Sequence, residues 1–357
     1  MTLPDLGWTP YFEAFFAPYG KEGYIPARVA IQYRDKYVLY GEGGELQGQV
    51  TGRFEFQAKG LDDFPAVGDW VAIQPPVGGG TAVIHAVIER RTKFARKIAG
   101  VKTVPQVVAA NADVVFLVSG LDDEINIRRI ERYLTVAYES GAKPVIVLNK
   151  TDLCPDLGPI VAEVTAIAPG VDILPMSART KVGVEEVAAH LSRGVTGALL
   201  GSSGVGKTTI ANDLVGEERY RTQEVRETDS RGRHTTSHRE LVILPNGGLL
   251  IDTPGMREIQ LWGVAQSLQA SFEDIAMLAL DCKFRDCRHD AEPGCNVKAA
   301  IEDGRLAPDR YDAYKKLEKE IAYLARRKDQ NLQRQETAKW KKITSEIKKT
   351  YKNREKP

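Results

Sequence analysis

Gly201-Ser202-Ser203-Gly204-Val205-Gly206-Lys207-Thr208 is the part of the sequence richest in chemistry. It fits G-x-x-x-x-G-K-[ST] at every fixed position and follows the apolar run Gly197–Leu200. Glycines at this spacing let backbone amides turn inward around phosphate oxygens. Lys207 sets a cation against the β- and γ-phosphates, and the Thr208 hydroxyl suits Mg²⁺. A helix opening at Lys207, with Thr209 in its first turn, adds the positive end of its dipole. A chance glycine-rich turn would not need the strand before it and the helix after it, so the stretch reads as a phosphate site. About 44 residues later, Ile251-Asp252-Thr253-Pro254-Gly255 ends another hydrophobic run. D-x-P-G alone is a good turn. After a phosphate loop at this distance, Asp252 reads as a water-bridged Mg²⁺ partner and Gly255 as an amide for the γ-phosphate.

Upstream, Val145–Leu148 is an apolar strand that ends in Asn149-Lys150-Thr151-Asp152, an N-K-x-D pattern. A carboxylate at Asp152 can accept the N1–H and exocyclic amine of guanine, which adenine does not offer in that arrangement. Asn149 can tie this loop to the phosphate loop, and the Lys150 stem can lie along the base. Ser177-Ala178, after Asp172–Met176, can bring an amide to the guanine O6. An Asx-type helix cap is the rival use of such a pattern. The phosphate loop elsewhere in the chain favours guanine.

Many small GTPases place a Gln after D-x-x-G to orient the attacking water. Here the residue is Met256, which has no group to do so. Hydrolysis by the chain alone is therefore expected to be slow, with the missing group supplied by another segment or by a partner. Arg231-Gly232-Arg233-His234-Thr235-Thr236-Ser237-His238 is the candidate segment. One threonine, Thr236 in preference to Thr235, would complete the Mg²⁺ shell, and His234 would orient water; a polar surface histidine is the rival reading.

Cys282, Cys287, His289 and Cys295 place three thiolates and one imidazole within 14 residues, with Pro293-Gly294 before the last ligand. That set suits one tetrahedral, structural Zn²⁺ and leaves no open catalytic position. Its role would be to tie together a segment with little core of its own. Cys154 lies far away and reads as an ordinary thiol. Four cysteines are too few for a disulfide scaffold at this length.

The elements that carry these groups fall into three expected units. Residues 1–91 show short runs rich in Val, Ile, Tyr and Phe (Arg28–Tyr33, Tyr37–Tyr40, Gln47–Phe56, Asp69–Ile73 and Ala82–Ile88) divided by Gly, Asp and Pro. They suit an OB-fold-like β-barrel, an architecture that often binds oligonucleotides. Residues 92–263 alternate apolar strands with helices such as Asn126–Ser140, which implies a largely parallel sheet covered on both faces. Residues 264–357 read as a helical zinc-binding unit whose last stretch sets Leu332, Trp340, Ile343, Ile347 and Tyr351 near helical spacing among lysines. The fold class expected is multidomain α/β.

The order of motifs is unusual. GTPases ordinarily run from phosphate loop through D-x-x-G to N-K-x-D and S-A, whereas here the base-reading motifs come first. A sheet fold with nearby termini tolerates this, so the central unit reads as a circularly permuted GTPase domain. Permuted order, a barrel before it and the Cys/His region after it together resemble the ribosome small-subunit-dependent GTPase A family over nearly the whole chain. The family carries the same four metal ligands. The resemblance implies a late-acting assembly factor that binds the small ribosomal subunit and hydrolyses GTP when bound.

The 357 residues carry 49 Lys+Arg and 48 Asp+Glu, for a net charge of +1. That balance hides an asymmetry: residues 305–357 carry +9 and the remainder −8. A basic tail on a mildly acidic body points to a polyanion such as rRNA, against the alternative of a solvated helix face. No apolar run approaches a membrane span and no secretory pattern opens the chain, so a cytoplasmic address is expected; the protein is separately expected to act as a monomer. Two other readings compete: a GTP-regulated rRNA-binding or chaperone module that barely needs hydrolysis, and a P-loop kinase, for which no acceptor site is recognisable.

Overall fold

The computed structural model describes residues 1–33, 36–76, 80–97, 105–122, 125–217, 239–252, 265–290 and 292–326. His234, Thr235, Thr236, Gly255 and the tail beyond 326 lie outside the described residues.

Helix α1 (Pro10–Lys21) precedes strands β1 (Ile25–Gln32), β2 (Tyr37–Gly41) and β3 (Gly44–Val50), then helix α2 (Gly52–Gln57), β4 (Trp70–Gln74) and β5 (Ala82–Val87). The strands pair in the order β1-β2-β3-β5-β4, and β4 returns to β1 through Ile25↔Ile73 and Arg28↔Trp70. This closes a five-stranded, OB-like barrel with no free edge. Ala27, Val29, Leu39, Val71, Ile73 and Ile84 fill it, and Phe12 and Phe16 of α1 pack with Trp70 outside that cluster.

One element differs from the sequence expectation. The run Gln47–Phe56 predicts strand through Phe56, but β3 ends at Val50 and Gly52–Gln57 is helical. Thr51 is the reason: its Oγ accepts the Phe54 N–H at 2.9 Å, a side-chain N-cap that overrides the β-propensity of two phenylalanines.

A two-stranded sheet follows, β6 (Lys93–Lys97) with β7 (Pro105–Ala110). Then come β8 (Val114–Gly120), α3 (Ile127–Ser140), β9 (Lys143–Asn149), α4 (Gly158–Ile167), β10 (Asp172–Pro175), α5 (Val184–Ala189), β11 (Thr196–Gly201), α6 (Lys207–Val215), β12 (Arg239–Ile243) and β13 (Leu249–Asp252). Their order is β10-β9-β8-β11-β13-β12, parallel except for β12. Strand β12 also pairs with β1 through Ile31↔Glu240, so barrel and central sheet form one continuous eleven-stranded ladder. Successive strand residues serve opposite faces: Leu117, Ile146 and Leu148 join one core, Phe116, Val145 and Val147 the other.

The first of those cores continues into the C-terminal helices α7 (Ala265–Ser271), α8 (Glu273–Leu280), α9 (Asn296–Glu302) and α10 (308–326). Leu268, Val297, Leu306 and Ile321 share it with Ile130 and Leu134 of α3. These helices therefore bury their apolar faces against the central domain rather than on each other alone. Among the described residues, no helix is long and apolar enough to cross a membrane.

Candidate nucleotide site and metal centre

Parallel strands deliver their C-terminal ends to one edge of a sheet whatever their order in the chain. Here β9 ends at Asn149, β10 leads to Ser177-Ala178, and β11 ends at Gly201. Registers Gly120↔Asn149, Pro175↔Leu148 and Gly201↔Val118 set these ends side by side. The N-K-x-D, Ser-Ala and G-x-x-x-x-G-K-T motifs meet although the chain carries them in the reverse of the usual order.

Asn149 is the junction. Its buried side-chain amide donates from Nδ2 to the Val205 carbonyl at 2.8 Å, while Oδ1 accepts the Ala178 N–H at 3.0 Å. One carboxamide thereby holds all three segments, and being buried it leaves neither end unpaired. Gly206 passes so close, at φ +96°, that a Cβ there would collide with Asn149 Nδ2. Ser177 Oγ donates to Asp152 Oδ1 at 2.6 Å, and the Thr151 N–H donates to the Met176 carbonyl at 3.1 Å. The Asp152 carboxylate is thus held beside the Asn149–Ala178 bond.

Within the phosphate loop, Lys207 Nζ donates to the carbonyls of Gly201 and Ser202 at 2.8 and 2.6 Å. Thr208 and Thr209 stand in the first turn of α6. Strand β13 runs parallel beside β11 and ends at Asp252, bringing that backbone to the same edge.

Two charged neighbours of the motifs, Asp122 and Arg129, are not legible in the sequence. Lys150, in the left-handed region at φ +68°, extends its ammonium to Asp122 Oδ2 at 2.5 Å. Arg129, in the first turn of α3, donates to Ser202 Oγ at 3.0 Å. Asp122 follows the end of β8, and that position at the shared sheet edge was the only signal. Arg129 sits in Arg128-Arg129-Ile130-Glu131-Arg132, which in sequence looks like a solvated helix face.

The Cys/His cluster is assembled. Cys282 Sγ lies 3.6 Å from His289 Nδ1 and 3.9 Å from Cys295 Sγ, and Cys295 Sγ lies 3.4 Å from His289 Nδ1. All four ligand atoms, Cys287 included, fall within 4.8 Å of one another. A tetrahedron with Zn–S of about 2.3 Å and Zn–N of about 2.0 Å has edges of roughly 3.8 Å between sulfurs and 3.5 Å between sulfur and nitrogen. The separations among Cys282, His289 and Cys295 are nearly those edges, and Cys287 lies within reach of all three, so the donor set fits such an ion.

Behind it, Tyr311 Oη donates to the His289 carbonyl at 2.7 Å, tying α10 to the ligand loop. Burial pushes the Cys287 thiol up to about 11, with Cys295 and Cys282 adding to the rise, and burial lowers the His289 imidazole. A neutral imidazole is what a metal ligand requires, and a bound cation would displace the thiol proton. Cys154 stands apart, its thiol directed to the Asp156 carbonyl.

Comparison with known proteins agrees with this arrangement. The RsgA GTPase family model matches residues 87–262. A second model, described as 50S ribosome-binding GTPase, matches residues 196–356. Its match opens at β11, the strand leading into the phosphate loop, where an unpermuted GTPase domain would begin. A small ribosomal subunit biogenesis GTPase RsgA from Opitutus terrae is 48% identical over 352 residues, covering 96% of each chain. A protein of the same name from Methanosarcina acetivorans is 37% identical over 98% of this chain and 94% of its own. The crystal structure of YjeQ from Thermotoga maritima superposes with a TM-score of 0.63 at 27% identity, covering 85% of this chain and 99% of that one. The fold is also that of YloQ, titled a circularly permuted GTPase, at TM-score 0.61 and 24% identity over 84% of this chain and 95% of that one. With its permuted motifs gathered at one sheet edge and these relatives matching almost end to end, the chain belongs to the RsgA family of circularly permuted, GTP-hydrolysing enzymes.

Proposed function

We propose that this chain hydrolyses GTP during maturation of the small ribosomal subunit, with the subunit as the stimulating partner. The observation that carries the reading is the Asn149 junction: one buried amide joins N-K-x-D, Ser177-Ala178 and the phosphate loop. The relatives' names supply the partner.

In this reading Asp152 accepts the guanine N1–H and amine, Ala178 offers an amide to O6, and Lys150 lies along the base. The amides of Gly201 through Thr208, with Lys207 and Thr209, cradle the phosphates. Thr208 and Asp252, joined by Thr236, offer hard oxygen donors that suit Mg²⁺. A magnesium ion bound there with GTP would neutralise charge on the phosphates. Gly255 offers its amide to the γ-phosphate. Met256 leaves water orientation to another group, assigned here to His234.

Cys282, Cys287, His289 and Cys295 hold one structural Zn²⁺. The units are 1–91, 92–263 and 264–357; barrel, zinc region and basic tail hold rRNA, and the protein works as a cytoplasmic monomer. The deciding measurement is GTP turnover with and without purified small subunits. Stimulation is expected, His234→Ala should lose it while keeping GTP affinity, and turnover indifferent to subunits would overturn the reading. Subunit release driven equally by GTP and a non-hydrolysable analogue would favour a binding module over an enzyme.

A further inference from the structure

We propose that Arg129 is a positioning residue for the phosphate loop, acting through Ser202. The proposal rests on reading Gly201–Thr208 as the GTP phosphate site. Arg129 leaves α3 at a fixed point: its backbone N–H donates to Oδ1 of the capping Asn126 at 2.9 Å. Its Nη1 then donates to Ser202 Oγ at 3.0 Å, while the Ser202 carbonyl accepts Lys207 Nζ at 2.6 Å. One loop residue is therefore held by two cations, through its hydroxyl on one side and its carbonyl on the other.

The other arginines of this turn are used differently. Arg128 is paired with Glu131 and Asp309, and Arg132 forms a two-pronged pair with Glu320 at 2.5 and 2.8 Å. Arg129 faces no carboxylate among the described residues, and Ser202 is the partner its guanidinium has there. A guanidinium has five N–H donors in a rigid fork, so most of its donor capacity and its full charge remain at the rim of the loop. Those same neighbouring pairs lock α3 to α10. Ser202 is thus anchored to a fixed helix, not to another loop.

The consequence is preorganisation. A loop held around Lys207 before the triphosphate arrives loses less freedom on binding, and Lys207 is kept aligned for the step that follows. Arg129 is exposed and unpaired with any described acid, so its removal should leave the fold intact.

The test uses the full, metal-loaded chain in five forms: wild type, Arg129→Ala, Arg129→Lys, Ser202→Ala and the Arg129→Ala/Ser202→Ala double variant. Dissociation constants for GDP and a non-hydrolysable GTP analogue, kcat and KM for subunit-stimulated hydrolysis, and melting temperature are measured for each. Each single alanine variant should weaken analogue binding or lower kcat by about three- to tenfold, the worth of one ordinary net hydrogen bond, because solvent at this exposed contact screens the extra gain from the charge. The double variant should lose no more than the worse single one, Arg129→Lys should recover part of the loss, and melting temperature should not move.

Wild-type behaviour of Arg129→Ala would overturn the proposal. So would independent, multiplying losses in the double variant, or a Ser202→Ala chain that behaves as wild type while Arg129→Ala fails, since that pattern means direct electrostatics. A wild-type chain that binds no guanine nucleotide would instead defeat the reading of the loop itself.

Discussion

Glu131 and Arg310, 179 residues apart in the sequence, meet at 2.7 Å between the central domain and the C-terminal helices. Glu131 is fully buried on α3 and accepts from Arg128 as well. Arg310 lies over the Phe272 ring, 4.8 Å from its centroid, and also takes Asp274 with two bonds of 2.6 and 2.8 Å. Every charge at this junction has a partner, which is the condition for burying it at all.

Removing one member should therefore cost more than a surface ion pair would. Glu131→Ala leaves Arg128 and Arg310 facing a space without its carboxylate, and we expect a loss of about 3 kcal/mol in unfolding free energy. Chemical denaturation of both chains checks this. A loss below about 1 kcal/mol would place the pair with exposed ion pairs, whose worth is small.

Arg28 makes a comparable junction on carbonyls: among the described residues no carboxylate hydrogen-bonds it, and Asp69 acts on it only through its charge. Arg28 is fully buried against the Trp70 ring and donates to the carbonyls of Leu6, Gly68 and Asn111, joining the N-terminal segment, the barrel and the strand linker. Burial pushes its pKa down to about 9. A base with a lowered folded pKa carries its charge at a cost to stability, complete below about pH 9 and relieved only above it. Its effect is thus flat between pH 6 and 8, and the three carbonyls offset the cost. Arg28→Leu should lose about 3 kcal/mol by leaving them unpaired. The difference in unfolding free energy between the two chains, measured at pH 6 and again at pH 8, should be the same; a difference that changes across that interval would contradict the argument.

Asp152 offers a test of base recognition. Guanine presents donors at N1 and the exocyclic amine, to which a carboxylate responds; xanthine replaces the amine by a carbonyl. Asp152→Asn exchanges an acceptor for a donor, so affinity for GDP should fall by about a hundredfold or more, and xanthosine diphosphate should become the preferred ligand. Ser177 Oγ can still donate to the Asn carbonyl in place of Asp152 Oδ1, which keeps the loop in place. Equal loss for both bases would mean that the substitution broke the loop rather than changed its reading.

The legible parts of the molecule were those in which a local pattern dictates a local structure. Strand-then-loop motifs named the ends of β9 and β11, and parallel pairing then brought those ends together without further information. Four ligands within 14 residues could hardly avoid meeting. What stayed hidden depended on long-range partners. Glu131 looks like a surface charge until Arg310 and Arg128 enclose it, and Arg129 looks like its neighbours until β11 delivers Ser202. Phe54 and Phe56 suggested a strand because the Thr51 cap, one hydrogen bond, decided against it.

The metal content of the Cys/His cluster should be measurable directly. One zinc per chain is expected, lost on substitution of Cys295, the most buried of the three sulfur ligands. Cys295→Ser should also lower the melting temperature, because the ligand loop precedes α9, whose Val297 and Ala300 join the shared core. A zinc-free chain that melts with the wild type would remove the metal from the stability of this region.

The basic C-terminal residues can be separated from the nucleotide chemistry by salt. Residues 327–357 carry eleven Lys+Arg against four Asp+Glu. If they neutralise rRNA phosphates, deleting them should weaken binding to small subunits most at low salt, and should flatten the plot of log affinity against log salt. Each phosphate contact removed takes about 0.7 to 0.9 from that slope. GDP affinity should stay unchanged, since no residue of the Asn149 junction is touched. An unaltered slope would make the tail a solvated face after all, and would shift the search for the ribosomal contact to the barrel and the zinc region.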